Sequence, residues 1–135
     1  MVVLGLGVAV IEAVNDDRPV QAGKLPGSIT GFVAENFPNQ RIIGASIDFL
    51  DYTVMLNDHI SVEFDALRRW EQVESHGGTV PAGLIPAPIA ASLERDYPHP
   101  VRKISRDCRG YEVELSGFGY ELRFDRAGNL YGIDD

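Results

Sequence analysis

At 135 residues, 44% apolar and 24% charged, the chain has the composition of a globular protein, either one ordinary domain or two half-size units. Twenty acidic against 12 basic residues leave a formal net charge of −8, which argues against nucleic acid and against an anionic membrane surface as partners. A single cysteine, Cys108, excludes an intramolecular disulfide and any thiolate metal cluster.

The chain opens on "VVLGLGVAVI", an apolar run of ten residues that is too short to span a bilayer as a helix. It matches the apolar core of a secretory signal, with a small-residue cleavage point at Ala13, although no Lys or Arg precedes it. Residues 1–24 are therefore expected to be a degenerate or clipped export signal and a lead-in segment. The other reading of the run is a buried strand or helix at the start of the fold. "VNDDRPVQAGK", Val14 to Lys24, is polar and aperiodic and reads as a lead-in loop.

Leu25, Ile29, Phe32, Val33 and Phe37 fall on one face of a helix that Pro26 opens and Pro38 ends. Four short strands follow. "YTVMLNDHISVEF" alternates so that Ile60, Val62 and Phe64 point inward while Ser61 and Glu63 point outward. "ESHGGTVPAG" is Gly- and Pro-rich, and residues 75–84 are expected to be a linker.

Sixty residues on, the pattern returns. Ile85-Pro86 matches Leu25-Pro26, Ile89 matches Ile29, Leu93 matches Val33, and Tyr97-Pro98 matches Phe37-Pro38. Tyr111, Val113 and Leu115 match Tyr52, Val54 and Leu56, and Phe124-Asp125 matches Phe64-Asp65. Leu130 matches Trp70, and Ile133 matches Val73. This periodicity points to an internal duplication, with repeats over 25–74 and 85–135. "YEVEL" and "YELRF" turn Tyr, Val, Leu and Phe inward, including Tyr120, and Glu112, Glu114, Glu121 and Arg123 outward.

The helix opening on "LP" or "IP", its aromatic-Pro close and the following meander form a combined pattern. "LPGSITGFVAENFP" with "YTVMLNDHISVEFD", and "IPAPIAASLERDYP" with "YEVELSGFGYELRFDRAGNLYGIDD", resemble the PepSY-like family, a tandem, β-lactamase-inhibitor-like group of the Bacteroidetes envelope. The resemblance covers roughly Asn15 to Asp135. It implies an α+β fold of two tandem α-β4 repeats, each a helix packed on a four-stranded antiparallel meander, similar in architecture to β-lactamase inhibitor protein. It also implies an exported, periplasmic protein, and related PepSY domains are associated with inhibiting or chaperoning peptidases. The family brings no catalytic motif and no ligand residues, so none is carried over. "DALRRW" departs from the pattern by lacking the turn glycine that "DRAGNL" keeps.

Chemistry is sparse. His59, His76 and His99 have no metal-ligand spacing, and nothing places a base beside Cys108. No G-x-S-x-G occurs, "GLG" lacks a nucleotide-loop context, and the acidic residues lack the calcium-loop spacing. No catalytic residue, metal or cofactor is expected.

What is left is a surface. The wet sheet face is expected to carry Met55, Glu63, Trp70, Glu112, Glu114, Glu121, Arg123 and Leu130. Trp70 reads either as an exposed contact anchor or as a seal between two sheets. The expected function is non-enzymatic binding of a protein or peptide partner in the cell envelope, in the manner of a peptidase inhibitor, with no membrane insertion of the mature chain. The alternative is a carrier of a small ligand or peptide in a cleft between the repeats.

Overall fold

A computed structural model describes residues 18–134, so the apolar run and the export signal read from it lie outside the described residues. Within them the fold is mixed, with nine strands, all paired antiparallel, and two α-helices. The chain divides into two compact units, Met1–Glu71 and Gln72–Asp135.

In the first unit a short strand β1 (Arg18–Pro19) and a 3-10 turn (Ala22–Lys24) precede helix α1 (Gly27–Asn36). Strands β2 (Ile42–Asp48), β3 (Asp51–Leu56) and β4 (Ile60–Phe64) follow as a meander. Pro26 caps α1, and the helix buries Ile29 and Val33. The Phe32 ring meets Phe64 edge-on at 5.4 Å, which seats α1 on the face of β4 that carries Val62 and Phe64.

Strand β5 (Trp70–Ser75) runs across the unit boundary. The second unit continues with a 3-10 turn (Ala82–Leu84), helix α2 (Ala87–Asp96) and strands β6 (Val101–Asp107), β7 (Gly110–Leu115), β8 (Glu121–Asp125) and β9 (Leu130–Asp134). Ile89 and Leu93 of α2 are buried, as are Ile104, Val113, Leu122 and Phe124 of the sheet. In the 75–84 segment Val80 is buried and its N–H donates to the Val101 carbonyl at 2.9 Å.

The sequence points to eight strands, and β1 is the ninth. It pairs Arg18 with Ile47 and Pro19 with Ser46, and Val20 N–H donates to the Ala45 carbonyl at 2.8 Å. Backbone pairing on a sheet edge needs no apolar side chain, so the polar lead-in carried no sign of it. Tyr120 also differs from expectation. It precedes β8 and is exposed, stacking edge-on against Phe118 at 5.2 Å instead of entering the core.

Three strands break their alternation. The register slips by one residue between Ile42 and Gly44 on β2, between Val101 and Lys103 on β6, and between Leu130 and Gly132 on β9. Each is a β-bulge, in which two residues on one strand oppose one on its neighbour. Apolar residues three apart then share a face. Val101 and Ile104 are both buried on β6, whereas Arg102 and Lys103 both turn outward.

Candidate functional site

Helix α1 covers the inner face of the first unit, and the same strands present a second, outer face of alternate residues. On that outer face Met55 lies opposite Ser61 and Gly44, and Glu63 lies opposite Thr53. Met55 is 50% exposed, and bulged Ile43 beside it is also exposed. Glu71, at the end of this unit, has its carboxyl pushed above the usual range by partial burial and then by the charges of Asp51, Glu63 and Asp65.

In the second unit the outer face is an ion network. Glu112 pairs across strands with Arg123, and Glu114 with Glu121. Arg102 spans two strands, donating to Glu74 at 2.8 Å and to Glu114. Lys103 reaches Glu114 at 3.2 Å, and Arg123 bridges Glu112 at 3.5 Å and Asp134. Burial works against the Glu114 charge, but hydrogen bonding to Glu121 and Lys103, with the Lys103 and Arg102 charges, holds its carboxyl below the usual range. Glu121 is pushed up, first by its hydrogen bond to Glu114, then by burial and by the Glu112 and Glu114 charges. The pair therefore holds one proton more readily than two free glutamates would.

Beside this network lies a shallow recess lined by Arg102, Glu114, Gly117, Tyr120, Glu121 and Asp134. Charged and aromatic groups are close enough there to meet a partner's polar surface. No nucleophile and base are paired in it.

Of the eight surface residues read from the sequence, Met55 and Glu63 share the outer face of the first unit. Glu112, Glu114, Glu121 and Arg123 share that of the second. Trp70 and Leu130 do not belong with them. Trp70 is 8% exposed and counts among the buried core, so it is no exposed anchor. Leu130 lies directly opposite Phe124, which is fully buried, and so turns inward. The bulge on β9 is the physical reason. It inserts Tyr131, so Leu130 and Ile133 share a face that regular alternation would have split. On β5 Trp70 and Val73, three residues apart, are likewise both buried.

Sequence reasoning missed Glu74, Arg102, Lys103 and Asp134, the partners that complete the network. A usable signal was present. In "VRKI" and "LYGI" two apolar residues stand three apart inside a strand, which regular pleating does not allow for a one-faced core. Cys108 is exposed in the β6–β7 turn. Among the described residues no His, Cys, Asp and Glu are grouped to hold a metal ion, and no helix is long and apolar enough to cross a membrane.

Residues 50–132 match the family model described as "Putative beta-lactamase-inhibitor-like, PepSY-like". A "putative calcium-regulated periplasmic protein" of Bacteroides thetaiotaomicron is similar over 91% of this chain and 100% of its own, at 36% identity and a TM-score of 0.82. Two "putative periplasmic" proteins of Bacteroides vulgatus are also similar. One is 28% identical over 88% of this chain and 99% of its own, with a TM-score of 0.82. The other is 31% identical over 91% of this chain and 100% of its own, with a TM-score of 0.81. No curated protein matches the chain. The setting shared by these relatives puts the chain in the periplasm or otherwise outside the cytoplasm. The chain belongs to the PepSY-like, β-lactamase-inhibitor-like family.

Proposed function

We propose that this protein is a non-enzymatic periplasmic binding module that engages a protein or peptide partner of the cell envelope through the outer face of its strands, in the manner of a peptidase inhibitor. We also propose that it is built of two tandem α-β4 repeats, over 25–74 and 85–135. The recurrence of turn, helix and four strands in the same order supports the duplication, as does the recurrence of the bulge at Ile43 and Arg102. The observation that carries the binding role is the outer face itself. In the first unit it exposes Met55 and Ile43, and in the second it carries a cross-strand ion network, where a surface with no partner needs neither.

Capture from envelope extract tests the role, using wild type, Met55→Asp, Arg123→Glu, and Glu94→Arg on the exposed side of α2. The face variants are expected to lose a partner that wild type and Glu94→Arg retain. An inhibitor further predicts that added wild-type protein lowers peptidase activity in the extract and that the face variants do so less. The same proteins captured by all four forms would overturn the reading.

A further inference from the structure

The β2–β3 turn "DFLD" combines three features that cost stability. Phe49 is 85% exposed and Leu50 65% exposed. Phe49 adopts φ +56°, the left-handed region that a bulky residue rarely occupies. Asp48 and Asp51 lie directly opposite each other across the hairpin, a like-charge pairing that works against it. The turn that leaves β4 lies at the same end of the meander, since Tyr52 pairs with Phe64, and it adds Leu67 at 70% exposure and Asp65.

The matching turns of the second unit show that the scaffold requires none of this. Fifty-nine residues on, the tip reads "DCRG". There Asp107 faces Gly110, and its carboxylate accepts from the N–H groups of Arg109 and Gly110. The position matching Leu67 is Ala127. Large apolar groups and a facing aspartate thus occur on one tip alone of two closely similar turns. Local rules broken without a structural gain are the mark of a surface that serves something else.

We propose that this tip is a docking site, independent of the outer sheet face, that packs Phe49 and Leu50 against an apolar strip flanked by Lys or Arg on a partner protein. Charge selects this occupant. Asp48 and Asp51 flank the apolar tip with carboxylates, which a cationic partner attracts and an anionic lipid surface repels, while Asp65 in the neighbouring turn is paired with Arg69 at 3.1 Å. Phe49 and Leu50 supply the desolvated centre, and Leu67 widens it.

Fluorescence anisotropy with a labelled Leu/Lys amphipathic helix, which presents an apolar strip flanked by ammonium groups, tests the proposal directly. Phe49→Ala/Leu50→Ala is expected to weaken binding by at least about tenfold, the loss typical of a contact hot spot. Asp48→Asn/Asp51→Asn is expected to weaken it severalfold and to flatten its salt dependence. Asp58→Asn/Asp96→Asn, the same change in net charge elsewhere, is expected to leave it unchanged. Met55→Asp is also expected to leave it unchanged, so failure here and failure of the outer-face reading stay distinguishable. Circular dichroism confirms that each variant is folded. Equal binding by the tip variants and wild type would overturn the proposal, as would equal loss in both pairs of Asp variants. Stronger binding to phosphatidylglycerol vesicles than to the peptide would replace it with a membrane contact. Self-association abolished by the tip variants would replace it with a contact between copies.

Discussion

Arg68 and Gly128 occupy the same step of two closely matched turns. Asp65 and Asp125 open them, and each Oδ1 accepts two backbone N–H groups, from Leu67 and Arg69 in one turn and from Ala127 and Asn129 in the other. Both turns require a left-handed residue, at φ +65° for Arg68 and +93° for Gly128. A side chain in that conformation costs roughly 1–2 kcal/mol, which glycine avoids at an entropic cost of roughly 0.5–1 kcal/mol. Arg68→Gly should therefore raise stability by up to about 1 kcal/mol, read as a higher urea midpoint. Gly128→Ala should lower it by about 2 kcal/mol or more, because its Cβ would also come within 2.6 Å of the Pro88 ring. An unchanged midpoint for both variants would refute the account.

Also at the residue scale, Glu121 carries a pH dependence with a definite sign. Its carboxyl holds its proton more firmly in the folded chain than in the unfolded one, first through the Glu114 hydrogen bond. The stability it contributes is complete below the ordinary glutamate range and is lost as pH rises through its raised value. Glu121→Gln should match wild type near pH 4 and exceed it near pH 8 by up to about 1 kcal/mol, a modest figure because solvent screens the pair. Parallel urea titrations at the two pH values check this. A variant less stable than wild type at the higher pH would contradict it.

At the scale of elements, the bulges decide which side chains are buried and which are available. One inserted residue reverses the phase of a strand, so every side chain beyond it changes face. Arg102 and Lys103 are presented together for this reason. On β5, Trp70 and Val73 both lie in the core. Trp70→Ala should therefore act as a core deletion and cost about 3–5 kcal/mol, measured by chemical denaturation. A surface contact residue would cost less than about 0.5 kcal/mol, so the two roles are easily told apart. The bulges were partly legible in the sequence. Apolar pairs at a spacing of three mark them, but the same spacing is also helical, and the strand context must be known first.

At the scale of the whole molecule, the most testable consequence is equivalence between the two helices. Ile29 and Ile89 stand at the same step of α1 and α2, and both are completely buried. Truncation of either to alanine should cost about 2–5 kcal/mol, and the two losses should agree to within about 1 kcal/mol. Widely different losses, measured as changes in unfolding free energy, would argue against the proposed duplication. The charge of −8 acts at this scale too, favouring basic partners and making their association sensitive to salt.

By itself the sequence determined the two helices, the strands that follow each of them and most of the core. Apolar periodicity, prolines and turn residues act over short stretches, and they agree with one another here. The offset of 59 to 60 residues exposed the matching positions, and the combined motif carried the family. The edge strand Arg18–Pro19 needed tertiary structure, because backbone pairing there draws on no side-chain preference. So did the ion network around Arg102 and Glu114, the burial of Trp70 and the inward turn of Leu130, because bulge phase and cross-strand register are properties of paired strands. A single strand read in isolation has no neighbour against which an extra residue could be counted.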